Sequence, residues 1–295
     1  AFATAGVAAP RLFDAIADAA PEMIARGEAS AQSLANTAWA FAAAKNVEAP
    51  RLFTAIAKEV YETRPLRLRD FKSRELSMTA WAFATAKNVD SPRFFAAVEE
   101  ETLSNRRLEE FNSQELANLA WAFATAGVAA PRLFDAIADA APEMIARGEA
   151  SAQSLANTAW AFATAGVAAP RLFAAIAEAA PSRLHEFNPQ EASNTAWAFA
   201  CVDWKDKDLL VALADRSVEC LEAMSDEGRS QLHLVSLHFR SEWGSALYHD
   251  IFPLAPHADE LLSVFRRCEP RPSRFQRDVA NSLNRLGWTH VFEHV

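Results

Sequence analysis

The sequence predicts an all-α fold, an α-solenoid of two-helix repeats of about 37–42 residues, and three observations carry that prediction. Trp-Ala-Phe recurs at Trp39, Trp81, Trp121, Trp160 and Trp197, with separations of 42, 40, 39 and 37 residues, and Phe2 opens a sixth, truncated copy. Residues 1–42 are identical to residues 122–163, an offset of 121 that equals three repeats. A stack in which each unit touches only its neighbours accepts such a copied block, whereas a single compact core rarely does. Finally, no period-two alternation of β-branched residues and no hairpin turn pair occurs in the sequence.

The first helix of each repeat opens on capping chemistry. In Phe111-Asn112-Ser113-Gln114-Glu115-Leu116, Asn112 is placed to cap, Glu115 to close the capping box and Phe111 to staple onto Leu116. Asn188-Pro189-Gln190-Glu191 repeats the logic with Pro at the first helical position, and Ser30 and Ser151 serve in two other copies. The helix then runs through LANTAWAFA and is expected to stop at Gly6, Gly127 or Gly166, or at Lys45-Asn46 and Lys87-Asn88. At 100° per residue, Leu34, Ala38 and Phe41 share one face and Gln32 and Asn36 the opposite one. Trp39 falls beside the polar strip, and the Trp ladder is expected to be core first.

The second helix starts at Pro10, Pro50, Pro92, Pro131 or Pro170 and carries an apolar stripe such as Leu133, Phe134 and Ile137. Pro21, Pro142 and Pro181 are expected to end or kink it. Residues 1–200 thus form the helical repeats, the first truncated, and 201–295 degenerate C-terminal repeats or a cap. In that segment Asp206–Met224 reads as a second helix, Ser230–Phe239 as a degenerate first helix and Ser273–Leu286 as a capped amphipathic helix. The opening AFATAG matches the end of a first helix, so the chain is expected to begin inside a repeat and its start says nothing of compartment.

Composition narrows the function. A net charge of −9 argues against a uniformly basic nucleic-acid binder, which leaves local patches to decide. Cys201, Cys220 and Cys268 have neither disulfide-framework nor Cys-x-x-Cys spacing, so no structural metal is expected. No apolar run is long enough to span a bilayer. Six of the seven histidines follow residue 230, but His233, His238, His249 and His257 do not make a helical zinc pair. No nucleophile elbow, phosphate-binding glycine loop or paired-carboxylate motif is present, so no catalysis, cofactor or small-molecule substrate is expected.

The recurring polar pair one helical turn apart is the most informative feature: Gln32 and Asn36, Arg74 and Met78, Gln114 and Asn118, Gln153 and Asn157, Gln190 and Asn194. Such a row suits base-by-base reading of single-stranded RNA, one base per unit. For the Asn positions, satisfying backbone groups between units is an equal alternative. Two basic stretches stand out, Arg64, Arg67, Arg69, Lys72 and Arg74, and then Arg266, Arg267, Arg271, Arg274 and Arg277. The first lies in the connector before a first helix, where a ligand lying along the stack would meet it.

Phe187–Ala200 (FNPQEASNTAWAFA) and Phe111–Ala124 (FNSQELANLAWAFA) resemble the octotricopeptide-type repeat of organellar RNA-binding proteins, related to the repeat region of the Fas-activated kinase-like mitochondrial proteins. The resemblance covers residues 1 to about 200; copies 1–42 and 122–163 lack the leading Phe, Met78 replaces Asn and Ala192 replaces Leu. Ser273–Gln276 through Leu283 and Leu286-Gly287-Trp288 are similar to the segment preceding the RAP domain of such proteins, and no RAP domain is expected within these residues. The resemblance implies RNA processing, stability or translation control in a mitochondrion or chloroplast, with single-stranded RNA and other proteins of a ribonucleoprotein as partners. On this reading Gln32, Asn36, Gln114, Asn118, Gln153, Asn157, Gln190 and Asn194 read bases while Arg67, Arg69, Lys72 and Arg74 hold phosphates. The alternative is a protein-interaction scaffold taking a peptide or helix in its groove.

Overall fold

A computed structural model of the chain describes residues 10–44, 49–63, 67–86, 91–219 and 221–268. Among them there is no strand, and the fold class is all-α, with two-helix repeats stacked on their neighbours. The chain divides into two compact units, Ala1–Ala140 and Ala141–Val295. Unit 1 contains α1 (Pro10–Ala25), α2 (Ala31–Ala43), α3 (Pro50–Lys58), α4 (Ser73–Ala86), α5 (Ser91–Leu103), α6 (Ser113–Ala126) and the start of α7 (Pro131–Ala146). Unit 2 contains α8 (Ala152–Ala165), α9 (Pro170–Ala179), α10 (Pro189–Cys201), α11 (Lys207–Val218), α12 (Asp226–Ile251) and α13 (Ala258–Arg267). First helices pack side by side: α2 on α4 and α4 on α6 in unit 1, α8 on α10 and α10 on α12 in unit 2.

Within each unit, edge-to-face phenylalanines join one repeat to the next. Phe13 of α1 meets Phe41 of α2 at 5.0 Å and 81°. Phe53 of α3 meets Phe83 of α4 at 5.2 Å and 84°. Phe95 and Phe123 repeat the pair between α5 and α6 at 4.8 Å, and Phe173 and Phe199 between α9 and α10 at 5.3 Å. In every case a second-helix ring plugs the first helix of the following repeat, so neither element can bury its apolar face without that neighbour.

Capping follows the sequence closely. Asn112 with Glu115 and Asn188 with Glu191 form complete capping boxes, and Ser30 and Ser151 cap α2 and α8. Gly127 and Gly166 end α6 and α8 in left-handed conformation at φ 65° and 67°. The stops assigned to Gly6, Lys45-Asn46 and Lys87-Asn88 lie outside the described residues. Three first helices are entered through a 3₁₀ turn, Arg67–Asp70, Ser104–Glu110 or Pro181–Glu186. Each turn delivers a fully buried Phe, namely Phe71, Phe111 or Phe187, whose backbone N–H donates to Leu68, Leu108 or Leu184. The two copies lacking that Phe turn instead through Gly27 and Gly148, at φ 72° and 73°.

Three expectations need correction. The tryptophans are half-buried, and the fully buried rings are their neighbours two residues on, Phe41, Phe83, Phe123, Phe162 and Phe199. First helices are covered on three sides, and Trp falls on the fourth, three residues beyond Asn on the same stripe. Of the two outcomes expected at Pro21 and Pro142, an end or a kink, the end does not occur: α1 and α7 continue for another turn. Burial of Ile24 and Ile145 in that turn offsets the hydrogen bond each Pro removes. Only Pro181 breaks its helix, opening a 3₁₀ turn after α9. In the C-terminal segment α11 is capped by Asp206 and stops at Val218, and α12 extends well beyond Phe239 with a non-helical break at Gly244. The amphipathic segment at 273–286 lies outside the described residues.

Candidate nucleic-acid interface

Each first helix carries one stripe that is exposed at its leading residue and half-buried along most of its length, and the helical period puts the same four positions on it. On α6 these are Gln114, Asn118, Trp121 and Thr125; on α8 they are Gln153, Asn157, Trp160 and Thr164. On α2 the stripe is Gln32, Asn36, Trp39 and Ala43, on α10 Gln190, Asn194, Trp197 and Cys201, and on α4 Arg74, Met78, Trp81 and Thr85. The leading residue, Gln or Arg, is exposed in all five, while Asn is half-buried except for the exposed Asn36. In unit 1 the Trp81 and Trp121 rings stack at 6.2 Å and 28°. In unit 2 Trp160 and Trp197 lie at 6.4 Å and 35°. Within unit 1 the stripes of α4 and α6, and within unit 2 those of α8 and α10, thus bring their tryptophans side by side.

Among the described residues, the side chains of Gln32, Asn36, Gln114, Asn118, Gln153 and Asn157 have no hydrogen-bond partner. The Asn row therefore does not satisfy backbone groups between units. The pair on α10 differs: Gln190 Nε2 donates to Asn194 Oδ1 at 2.8 Å, and Ser225 Oγ donates to Gln190 Oε1 at 3.2 Å. Those bonds tie the two stripe residues together and leave N–H donors on both amides.

The acidic balance of the chain lies elsewhere. First helices α2 and α8 contain no carboxylate, and those of α4, α6 and α10 are Glu75, Glu115 and Glu191. All three fold back onto the backbone N–H at the helix start, at 2.8 Å to Lys72, 3.0 Å to Asn112 and 2.8 Å to Asn188. Exposed acids concentrate on the second helices, Asp14, Asp18 and Glu22 on α1 and Asp135, Asp139 and Glu143 on α7. The stripe is consequently neutral apart from the cationic Arg74, whatever the net charge of the whole chain.

The basic connector is less one-sided than its sequence. Arg69, Lys72 and Arg74 are exposed, but Asp70, Glu101 and Glu110 line the same cleft as Arg69 and Lys72. Arg64 and the side chain of Arg67 lie outside the described residues, as do Arg271, Arg274 and Arg277. Arg266 and Arg267 are exposed in the last turn of α13, where cations suit the helix dipole. Other arginines hold the fold: Arg216 donates through Nε and Nη2 to the Phe187 carbonyl at 3.0 and 2.9 Å. Arg183 reaches the Ala150 carbonyl while pairing with Glu186.

One cluster was invisible in the sequence because 35 residues separate Asp203 from His238 and its neighbour one turn on, Glu242. Ligand-capable atoms of Asp203, His238 and Glu242 lie within 4.8 Å of one another. The Lys205 ammonium is lodged between the two carboxylates, at 2.5 Å from Asp203 and in contact with Glu242, so the acids are already compensated. Burial holds the His238 imidazole below its ordinary pKa, against the opposing pull of Asp203 and Glu242. Among the described residues no helix is long and apolar enough to cross a membrane.

Comparison with known proteins adds one relationship. A family model described as RNA-editing substrate-binding complex 6 protein matches residues 101–238, from the end of α5 into α12, just under half of the chain. No curated protein matches it.

Proposed function

We propose that this chain is a non-enzymatic RNA-binding repeat protein whose first-helix stripes contact single-stranded RNA, about one base per unit. The observation that carries this reading is the stripe itself: Gln and Asn amides, unpartnered on α2, α6 and α8, with stacked or tilted pairs of half-buried tryptophans, on a surface from which carboxylates are withdrawn. The amides supply donors and acceptors for base edges, and the indoles supply faces on which unstacked bases rest. Gln32, Asn36, Gln114, Asn118, Gln153, Asn157, Gln190 and Asn194 read bases; Arg74, with Arg67, Arg69 and Lys72, meets the backbone. The matched family's printed name, an RNA-editing substrate-binding complex protein, supports an RNA-associated role beside protein partners. The repeat resemblance adds an organelle, mitochondrion or chloroplast, as the compartment and RNA processing, stability or translation as the process.

Fluorescence anisotropy with single-stranded RNA at low and physiological salt, with a duplex as control, tests this directly. Binding is expected for single strands only and to weaken with salt, by a slope of roughly 0.7 per phosphate contacted. The double substitution Gln114→Ala with Asn118→Ala should weaken binding by roughly 5- to 150-fold, the span of about 1–3 kcal/mol for one lost base contact, and leave helical content unchanged. An unaltered base preference would show that the reading face is wrongly assigned. Salt-insensitive capture of a peptide in place of RNA would favour the scaffold alternative.

A further inference from the structure

Resting on that RNA reading, we infer that the ligand is a single-stranded tract in which one base is repeated, interrupted at one position. Four of the five stripes present the same pair, Gln followed by Asn one turn later, beside the same Trp. A site that selects its base with two side chains must select the same base wherever those side chains recur in the same setting, as they do on α2, α6 and α8, where they have no hydrogen-bond partner; on α10 the same two side chains recur bonded to each other and to Ser225. In unit 1 the order is Gln32/Asn36, Arg74/Met78, Gln114/Asn118, which is like, unlike, like. In unit 2 it is Gln153/Asn157 followed by Gln190/Asn194, two alike in succession. A protein reading a unique message would instead vary the pair from unit to unit.

The sameness is not explained by duplication alone. Residues 1–42 and 122–163 are one copied block, but α6, α8 and α10 differ from one another around the pair. Between them Glu115, Ser154 and Glu191 vary, as do Leu116, Leu155 and Ala192, and Leu119, Thr158 and Thr195. Several of these are buried, where change is felt most in packing. The exposed Gln, where a surface side chain is ordinarily free to change, stays fixed. The α4 stripe departs at both positions at once, consistent with one distinct base or a backbone contact there.

The experiment is a competition anisotropy panel with the full chain, setting short homopolymers of each base against a randomised single-stranded pool. One homopolymer is expected to bind on the order of tenfold tighter than the pool and the other homopolymers. Arg74→Gln combined with Met78→Asn makes the three stripes of unit 1 alike, and should raise the ratio of homopolymer to pool affinity further. If the pool binds single-strand-specifically but every homopolymer binds no better, the repeated-base inference is overturned and the RNA reading stands. If no single strand binds even at low salt, both are overturned.

Discussion

At the residue scale, a single position on a helix decides whether a side chain builds the stack or stays partly open to solvent. Phe123 and Trp121 are two residues apart, yet the first is fully buried and the second half-exposed, because 200° of rotation carries them to different sides. His233 shows the cost of the buried side for an ionisable group. It lies on α12 with its ring 5.0 Å from that of Phe265 on α13, and its Nδ1 is buried without a partner. Burial, reinforced by Arg240 and Arg266, holds its pKa below the ordinary imidazole value. The folded state thus binds fewer protons than the unfolded chain, so this contribution is complete above about pH 6.5 and is lost as pH falls below it. Thermal melts between neutral and mildly acidic pH should show the native chain losing stability on acidification. His233→Leu should flatten that limb, and an equally steep limb in the variant would assign the sensitivity to other groups.

At the element scale, glycine and capping chemistry mark where each helix must begin and end. Gly127 and Gly166 occupy left-handed conformation at helix ends, and Gly244 interrupts α12 at φ 85°, ψ 157°, a region essentially restricted to glycine. A Cβ at Gly244 would meet nothing within 4 Å, so any penalty there is one of backbone conformation and not of collision. Gly127→Ala should cost about 1 kcal/mol, and Gly244→Ala about 1–3 kcal/mol, both read from chemical denaturation. If Gly244→Ala is neutral, α12 has straightened through the break, which a gain in helical ellipticity would reveal.

At the scale of the whole molecule, near-repetition makes the chain divisible. Excising residues 122–160 joins Trp121 directly to Ala161 and restores an uninterrupted Trp-Ala-Phe, removing one repeat length of 39 residues. Because each unit depends on its neighbours, the shortened chain should stay folded, with unchanged ellipticity per residue and a somewhat lower melting temperature. Its RNA footprint should shrink by about one nucleotide. Collapse to an unfolded chain would mean that the excised segment contributes more than one equivalent unit.

Helix class, repeat length, caps and the polar row were legible in the sequence because each depends on residues within one or two turns of each other. Asn112 and Glu115 announce their capping box from three positions apart, and Gln114 and Asn118 share a face by periodicity alone. The tertiary structure decided which of two apolar-looking positions is core, and it buried Phe while leaving Trp half-buried on the Gln–Asn stripe. It also decided that α1 and α7 run on through their prolines, since the burial of Ile24 and Ile145 depends on packing around the last turn. The gathering of Asp203, Lys205, His238 and Glu242 came from packing as well. Local backbone and capping energies are written in neighbouring residues, whereas burial and long-range ion pairing depend on which surfaces meet, and no local pattern encodes that meeting.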